Sequence, residues 1–257
     1  ISTNEEKIKI KNSPSNKKHK IYQRLKKILA SEKYQEIITF SFHSNLSHST
    51  LKGSKSLRLS NAISEEFSYM RNSMFGNHLN ALEENRKKGF DQQGVFEIGP
   101  IYENINLQHN ILSMMTFPMK GNNTVFKSEI FGFNELSSQI SILLKELNFD
   151  MKQFVIKRSE NEMFHPGKSA ELWQGKKLIA HYGAIHPLIV QNFTKVSEVY
   201  AAEVYIDNLP LDSIYNNKKI SYFESSYPYS EKDFSFIFDK NQNLFEVYKS
   251  VLGIDKK

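Results

Sequence analysis

A hairpin constrains this chain most. Residues 169–173, SAELW, and 177–185, KLIAHYGAI, are two apolar-rich runs joined across Gln174-Gly175, and a glycine-containing turn between such runs predicts antiparallel pairing. Similar runs recur at 94–103 (GVFEIGPIYE), 111–119 (ILSMMTFPM), 153–158 and 198–209 (EVYAAEVYIDNL). Residues 36–43, EIITFSFH, are β-branched and aromatic and read as a further, buried strand. Six or so strands mixed with a few helices, without a repeating strand–helix rhythm, predict an α+β domain: a mostly antiparallel sheet with flanking helices.

The helices follow from spacing. Ser13-Pro14-Ser15-Asn16 breaks regular structure, after which Ile21, Leu25, Ile28 and Leu29 predict an amphipathic helix over 17–33. Ser64, the acids after it, and Phe67, Met70, Met74, Leu79 and Leu82 predict a long helix, bent at Gly76 and ended by Gly89. Ile140, Leu143, Leu144 and Leu147 share one face of a helix over 136–147. Pro187 suits the first turn of a short helix. Residues 47–55 read as a loop, and a strand and helix are expected after about residue 227. That last segment is too short for its own core. The expected organisation is a linker and basic helix over 1–33, a main domain over 34–215, and the cut-off start of another module over 216–257. The start at Ile1 suggests a fragment or processed chain.

Composition excludes several chemistries. With no cysteine there is no disulfide, thiolate zinc site or cysteine nucleophile. No run approaches the ~18 apolar residues of a membrane span, and the lysine-rich start lacks the apolar segment of a secretory signal, so a cytoplasmic protein is expected. The net charge of +6 is local: residues 1–33 hold ten Lys or Arg against three acids. Such a segment can meet RNA phosphates or be a solvated linker and helix face.

None of the 11 glycines falls in a nucleotide-binding spacing, and there is no hydrolase elbow or HExxH. The stretch 163–187 holds three of the eight histidines. A metal site built from His165, Glu171, His181 and His186 is disfavoured, because residues an odd number of positions apart on a strand face opposite sides. His165-Pro166-Gly167 reads instead as a structural turn, in which the glycine permits what other residues cannot and the imidazole bonds backbone.

The same stretch, FHPGKSAELWQGKKLIAHYGAIHP, resembles the His-Pro-Gly-x-Ser-Ala, hairpin, Gly-x-x-His-Pro segment of the bacterial phenylalanine-tRNA ligase beta subunit family. Upstream, Asn61, Ser64, Glu66, Ser68, Met70, Arg71, Ser73 and Asn85 match that family's stretch, and Phe96, Glu97 and Gly99 match its Phe-Glu-x-Gly strand. Downstream, Pro228, Lys232 and Asp233 resemble the opening of its ferredoxin-like anticodon-binding module. The likeness covers about residues 34–240, with departures at Ala62, Asn72 and Glu231.

The resemblance implies a class II aminoacyl-tRNA synthetase-like fold and a non-catalytic role. It implies an alpha subunit as partner, an (αβ)2 tetramer, and contact with tRNA(Phe) through the whole complex. ATP and Mg²⁺ belong to the whole enzyme; no cofactor, metal or catalytic residue is carried over to this chain, and editing belongs to upstream modules. Glu97 stands where a catalytic copy has a phosphate-binding arginine, and 198–209 has none. Asn61, Phe67, Met70, Arg71 and Met74 are expected at the subunit interface, with Arg71 either clamping the partner or forming an intrachain salt bridge. The rival reading is a free-standing synthetase-like tRNA-binding module without ligase activity.

Overall fold

A computed structural model describes residues 17–44, 56–90, 94–118 and 131–210, together with Tyr227, 230–239, Val247, Ser250 and Val251. The loop expected over 47–55 and Pro228 lie outside the described residues.

A seven-stranded sheet runs in the order β1-β4-β5-β9-β8-β7-β6. Its strands are β1 (Tyr34–Glu36), β4 (Gly94–Asn104), β5 (Leu107–Thr116), β6 (Val155–Arg158), β7 (Phe164–Gln174), β8 (Lys177–Ile185) and β9 (Tyr200–Tyr205). Every pairing is antiparallel except β1 with β4. A two-stranded ribbon, β2 (Phe42–His43) and β3 (Tyr69–Met70), stands apart. The hairpin turn sits at Gly175, φ 59°.

Helices cover both faces. On one, α1 (Lys17–Ser31) and α3 (Phe133–Glu146) bury Ile21, Leu25, Leu29, Leu136, Ile140, Leu143 and Leu144 against Phe96, Met114, Ala202, Tyr182 and their row. Their apolar residues recur at the 3.6-residue period, so one stripe of each meets the sheet. On the other face α2 (Phe75–Lys87) packs Phe75, Leu79 and Leu82 on Val95, Met115 and Ala201. A short α4 (Pro187–Val190) starts with His186 as its cap, the ring Nδ1 accepting from the Leu188 amide at 3.2 Å.

Three expectations need correction. Residues 36–43 are not one buried strand: β1 ends at Glu36, and Ile38 and Phe40 are 89% and 69% exposed. The long helix from Ser64 does not form. Only Glu65–Phe67 make a 3-10 turn, Ser64 gives no side-chain cap, and the chain passes through β3 before α2 begins. Tertiary contacts override local helix propensity here, because Arg71 and Ser73 must reach the sheet. The α2 end is as expected, closed by the Phe90 amide on the Asn85 carbonyl (2.9 Å) and the Gly89 amide on Arg86 (3.0 Å).

The third correction concerns His165-Pro166-Gly167, which lies within β7 as an irregularity between Phe164 and Ser169, not as a turn. The His165 ring does bond backbone, its Nδ1 accepting from the Gly167 amide at 3.0 Å. The glycine the geometry requires is Gly183 across the ladder. Its φ is 154°, and a Cβ there would stand 2.3 Å from the Lys168 carbonyl oxygen. Residues 230–239 carry no strand.

Candidate functional site

One row of residues crosses the middle of the sheet on the α2 face. Glu97 lies opposite Ser113, Ser113 opposite Glu203, Glu203 opposite His181, and His181 opposite Glu171. The period of two that aims Phe96 and Met114 at α1 and α3 aims these polar neighbours the other way. Apolar rows flank them, so each polar group must find a partner inside the protein.

The segment entering α2 supplies those partners. Arg71, 1% exposed, donates from Nη1 to Glu97 Oε1 (2.8 Å) and from Nε to the Pro100 carbonyl (2.9 Å). Gly99 makes room for it: a Cβ there would lie 2.7 Å from Arg71 Nη2. Thr39 donates its hydroxyl to Glu97 Oε2 at 2.6 Å. His78 Nε2 stands 3.5 Å from the same oxygen, without an aligned hydrogen bond. Burial pushes the Glu97 carboxyl up, but His78, Thr39 and Arg71 together outweigh it and hold the pKa down to about 2.

Further along, Glu203 Oε1 accepts from the Ser73 hydroxyl and the Met74 amide, both at 2.8 Å. Glu203 thus caps α2 from a distant strand, a carboxylate against the positive end of a helix. Its other oxygen lies 2.9 Å from His181 Nε2, and His181 Nδ1 faces Asn161 Nδ2 at 3.3 Å. Glu171 takes the Ser159 hydroxyl (3.1 Å) and the Trp173 indole N–H (2.9 Å).

Around Glu203, serine, glutamate and histidine meet in an order that cannot activate Ser73. In hydrolytic triads the imidazole sits between nucleophile and acid; here the carboxylate sits between Ser73 and His181. Ser113 Oγ does stand 3.3 Å from His78 Nδ1, whose Nε2 faces Glu97, but these side chains, like Glu203, are sealed inside the protein, where no substrate reaches them. Among the described residues no group of three or more His, Asp or Glu is placed to hold a metal ion.

Sequence comparison decides the lineage of this sheet. A family model described as the phenylalanyl tRNA synthetase beta chain CLM domain matches residues 1–206. The chain belongs to this family. Among relatives of the CLM domain, the phenylalanine–tRNA ligase beta subunit of Rickettsia bellii (strain RML369-C) is 27% identical over 244 residues, which cover 94% of this chain and 28% of that protein. The subunit of the same name from Ehrlichia canis (strain Jake) is 30% identical over 238 residues, covering 89% of this chain and 30% of its own length. The chain therefore spans under a third of the curated relatives it matches. In three dimensions, the CLM domain shares the fold of Desulfitobacterium hafniense PylSc, a pyrrolysyl tRNA synthetase, with a TM-score of 0.58 and 11% identity over 76% of this chain and 68% of that one.

The CLM domain disperses the residues expected at an interface. Arg71 and Met74 are buried inside it, which selects the intrachain salt bridge for Arg71 and removes both from any outer contact. Asn61 is exposed in a turn, Phe67 and Met70 are half-buried, and Asn85 sits in the last turn of α2. Phe96 faces the α1–α3 core, while Glu97 and Gly99 face Arg71. Sequence reading missed two clusters: Thr39 and His78 around Glu97, and Ser73 and His181 around Glu203. The available signal was a carboxylate within an apolar stretch of each of two strands, Glu97 and Glu203, since a buried charge requires a partner.

What the CLM domain leaves outside is apolar too. Ile63, just ahead of the Phe67 turn, is 98% exposed. Phe40 and Phe67 pack edge to face at 5.1 Å between ring centres. They border an open groove of about 480 Å³ that Ile38, Thr39, Glu66 and Asn77 also line.

Proposed function

We propose that this chain is the non-catalytic scaffold part of a phenylalanine-tRNA ligase beta subunit, pairing with the alpha subunit that attaches phenylalanine to tRNA(Phe) using ATP. The observation that carries this reading is the closure of the sheet centre by the chain's own side chains. Where activation of an amino acid needs open cationic donors for a developing pyrophosphate charge, the middle of this sheet offers carboxylates already bonded to Arg71, Ser73 and Thr39. These residues do not fit ATP or Mg²⁺, and no step of the reaction is assigned to them.

Pairing falls instead to the outer surface. In the run EIITFSFH, Ile37, Thr39 and Ser41 alternate with Ile38, Phe40 and Phe42, and Ile38 and Phe40 are left exposed. Ile38, Phe40, Ile63 and Phe67 are the residues we assign to contact with alpha, in place of the buried Arg71 and Met74. An exposed apolar group of this kind is what an obligate interface covers. The (αβ)2 assembly, and a ferredoxin-like anticodon-binding module opening after about residue 216, complete the proposal.

The alternative, a free-standing tRNA-binding module, draws less support. On α1, Lys18 bonds Asp207 at 2.9 Å, Lys26 pairs with Glu36 and Arg24 lies 3.9 Å from Glu146, so much of the basic face is answered within the chain.

Phenylalanine-dependent ATP–pyrophosphate exchange tests the proposal. Purified full-length beta alone should give background rates and regain exchange only when alpha is added. Exchange by beta alone would overturn the scaffold reading.

A further inference from the structure

The β1 strand leaves the sheet after Glu36, and between Ile37 and the ribbon that begins at Phe42 the segment around Thr39 is held largely by side chains. The Ile37 amide makes the last ladder-like bond, to the Phe96 carbonyl at 2.9 Å. Past that point, the Thr39 amide donates to Glu97 Oε2 at 3.3 Å and its hydroxyl donates to the same oxygen at 2.6 Å. That hydroxyl also accepts from Arg71 Nη1 (3.0 Å) and Asn77 Nδ2 (3.2 Å), which fills its one donor and both acceptor sites. Asn77 Nδ2 further bonds the Phe40 carbonyl at 2.7 Å, and the Arg71 amide bonds the Ser41 carbonyl at 2.9 Å.

An extended segment alternates sides. Holding Thr39 inward is what turns Ile38 and Phe40 outward, and both are exposed. The buried charge cluster and the outer apolar surface are therefore one object, joined at Thr39 and at the backbone on its C-terminal side.

We propose that Glu97, Arg71 and Asn77 are positioning residues for subunit docking: through Thr39 they brace the segment 38–41 in the conformation that the alpha subunit recognises. The inference rests on the assignment of Ile38 and Phe40 to that contact. Without the brace, the segment must be ordered during docking, and each side chain immobilised then weakens association.

The test uses full-length beta and alpha. Dissociation constants are measured by sedimentation for Thr39→Val, Thr39→Ser and the surface variant Ile38→Asp/Phe40→Asp, and amide exchange is followed across residues 37–41 and through β5 and β9. Thr39→Val should weaken association by about tenfold and speed exchange at 37–41 while β5 and β9 keep their protection. Thr39→Ser, which retains the hydroxyl, should behave as the parent. If Thr39→Val fails to fold, Asn77→Ala strips two of the bonds without stranding Glu97 and is judged by the same criteria. Unchanged affinity in the brace variant, with the surface variant unable to bind, would overturn the brace and leave the surface standing. A surface variant that binds alpha normally would overturn the surface assignment, and the brace with it.

Discussion

Arg71 and Glu97 form a buried ion pair whose energetic value lies in what its loss would strand. Removing one partner of such a pair typically costs about 3–5 kcal/mol, because the other remains charged without water. Glu97→Gln should therefore destabilise the chain by that order near neutral pH. The dependence on pH has a definite sign. The folded carboxyl is held at about 2 against an ordinary value of 4.5, so its contribution is fully present above pH 4.5 and lost as pH falls toward 2. In urea titrations, the gap between parent and Glu97→Gln should be widest above pH 5 and close by on the order of 3 kcal/mol toward pH 2. A gap that stays constant down to pH 2 would contradict the pairing. At this scale the sequence was legible only in part. Glu97 stood out as a carboxylate in an apolar strand, but its partners come from residues 39, 71 and 78, and nothing local reveals that they converge.

Elements were read best where a periodic pattern and its tertiary setting agree. The β7–β8 hairpin, the β4 and β5 strands, α1 and α3 lie where their spacing puts them, since one apolar stripe or face meets one sheet. The pattern misled where long-range polar contacts decide. The start of α2 is set by Glu203, more than a hundred residues away, rather than by Ser64. The β7 irregularity makes the same point: Gly167 was the visible glycine, whereas Gly183 is the one the backbone needs. Gly183→Ala should cost about 3 kcal/mol or more, from an unfavourable φ and a clash with backbone that cannot move aside. Gly167→Ala, whose Cβ would meet the His165 ring at 3.5 Å, should cost under about 1 kcal/mol. Thermal melts of the two variants decide it, and equal losses would show that the bulge yields.

At the scale of the molecule, a synthetase-type sheet has its centre sealed and its outer apolar segment exposed. The sealed centre explains why replacing Met74 probes folding and not association: it lies inside the chain. The exposed segment was legible as composition, a run rich in β-branched and aromatic residues, but not as surface, because the sequence cannot tell a face covered by the same chain from one covered by another. The central claim is that this chain acts by holding a partner on that segment. Sedimentation velocity of full-length beta carrying Ile38→Asp and Phe40→Asp, mixed with alpha, tests it most directly. Two carboxylates forced into a desolvated contact cost roughly several kcal/mol, so alpha and beta should sediment separately while beta keeps the melting temperature of the parent. Sedimentation of the doubly substituted beta together with alpha, as the parent does, would contradict the account.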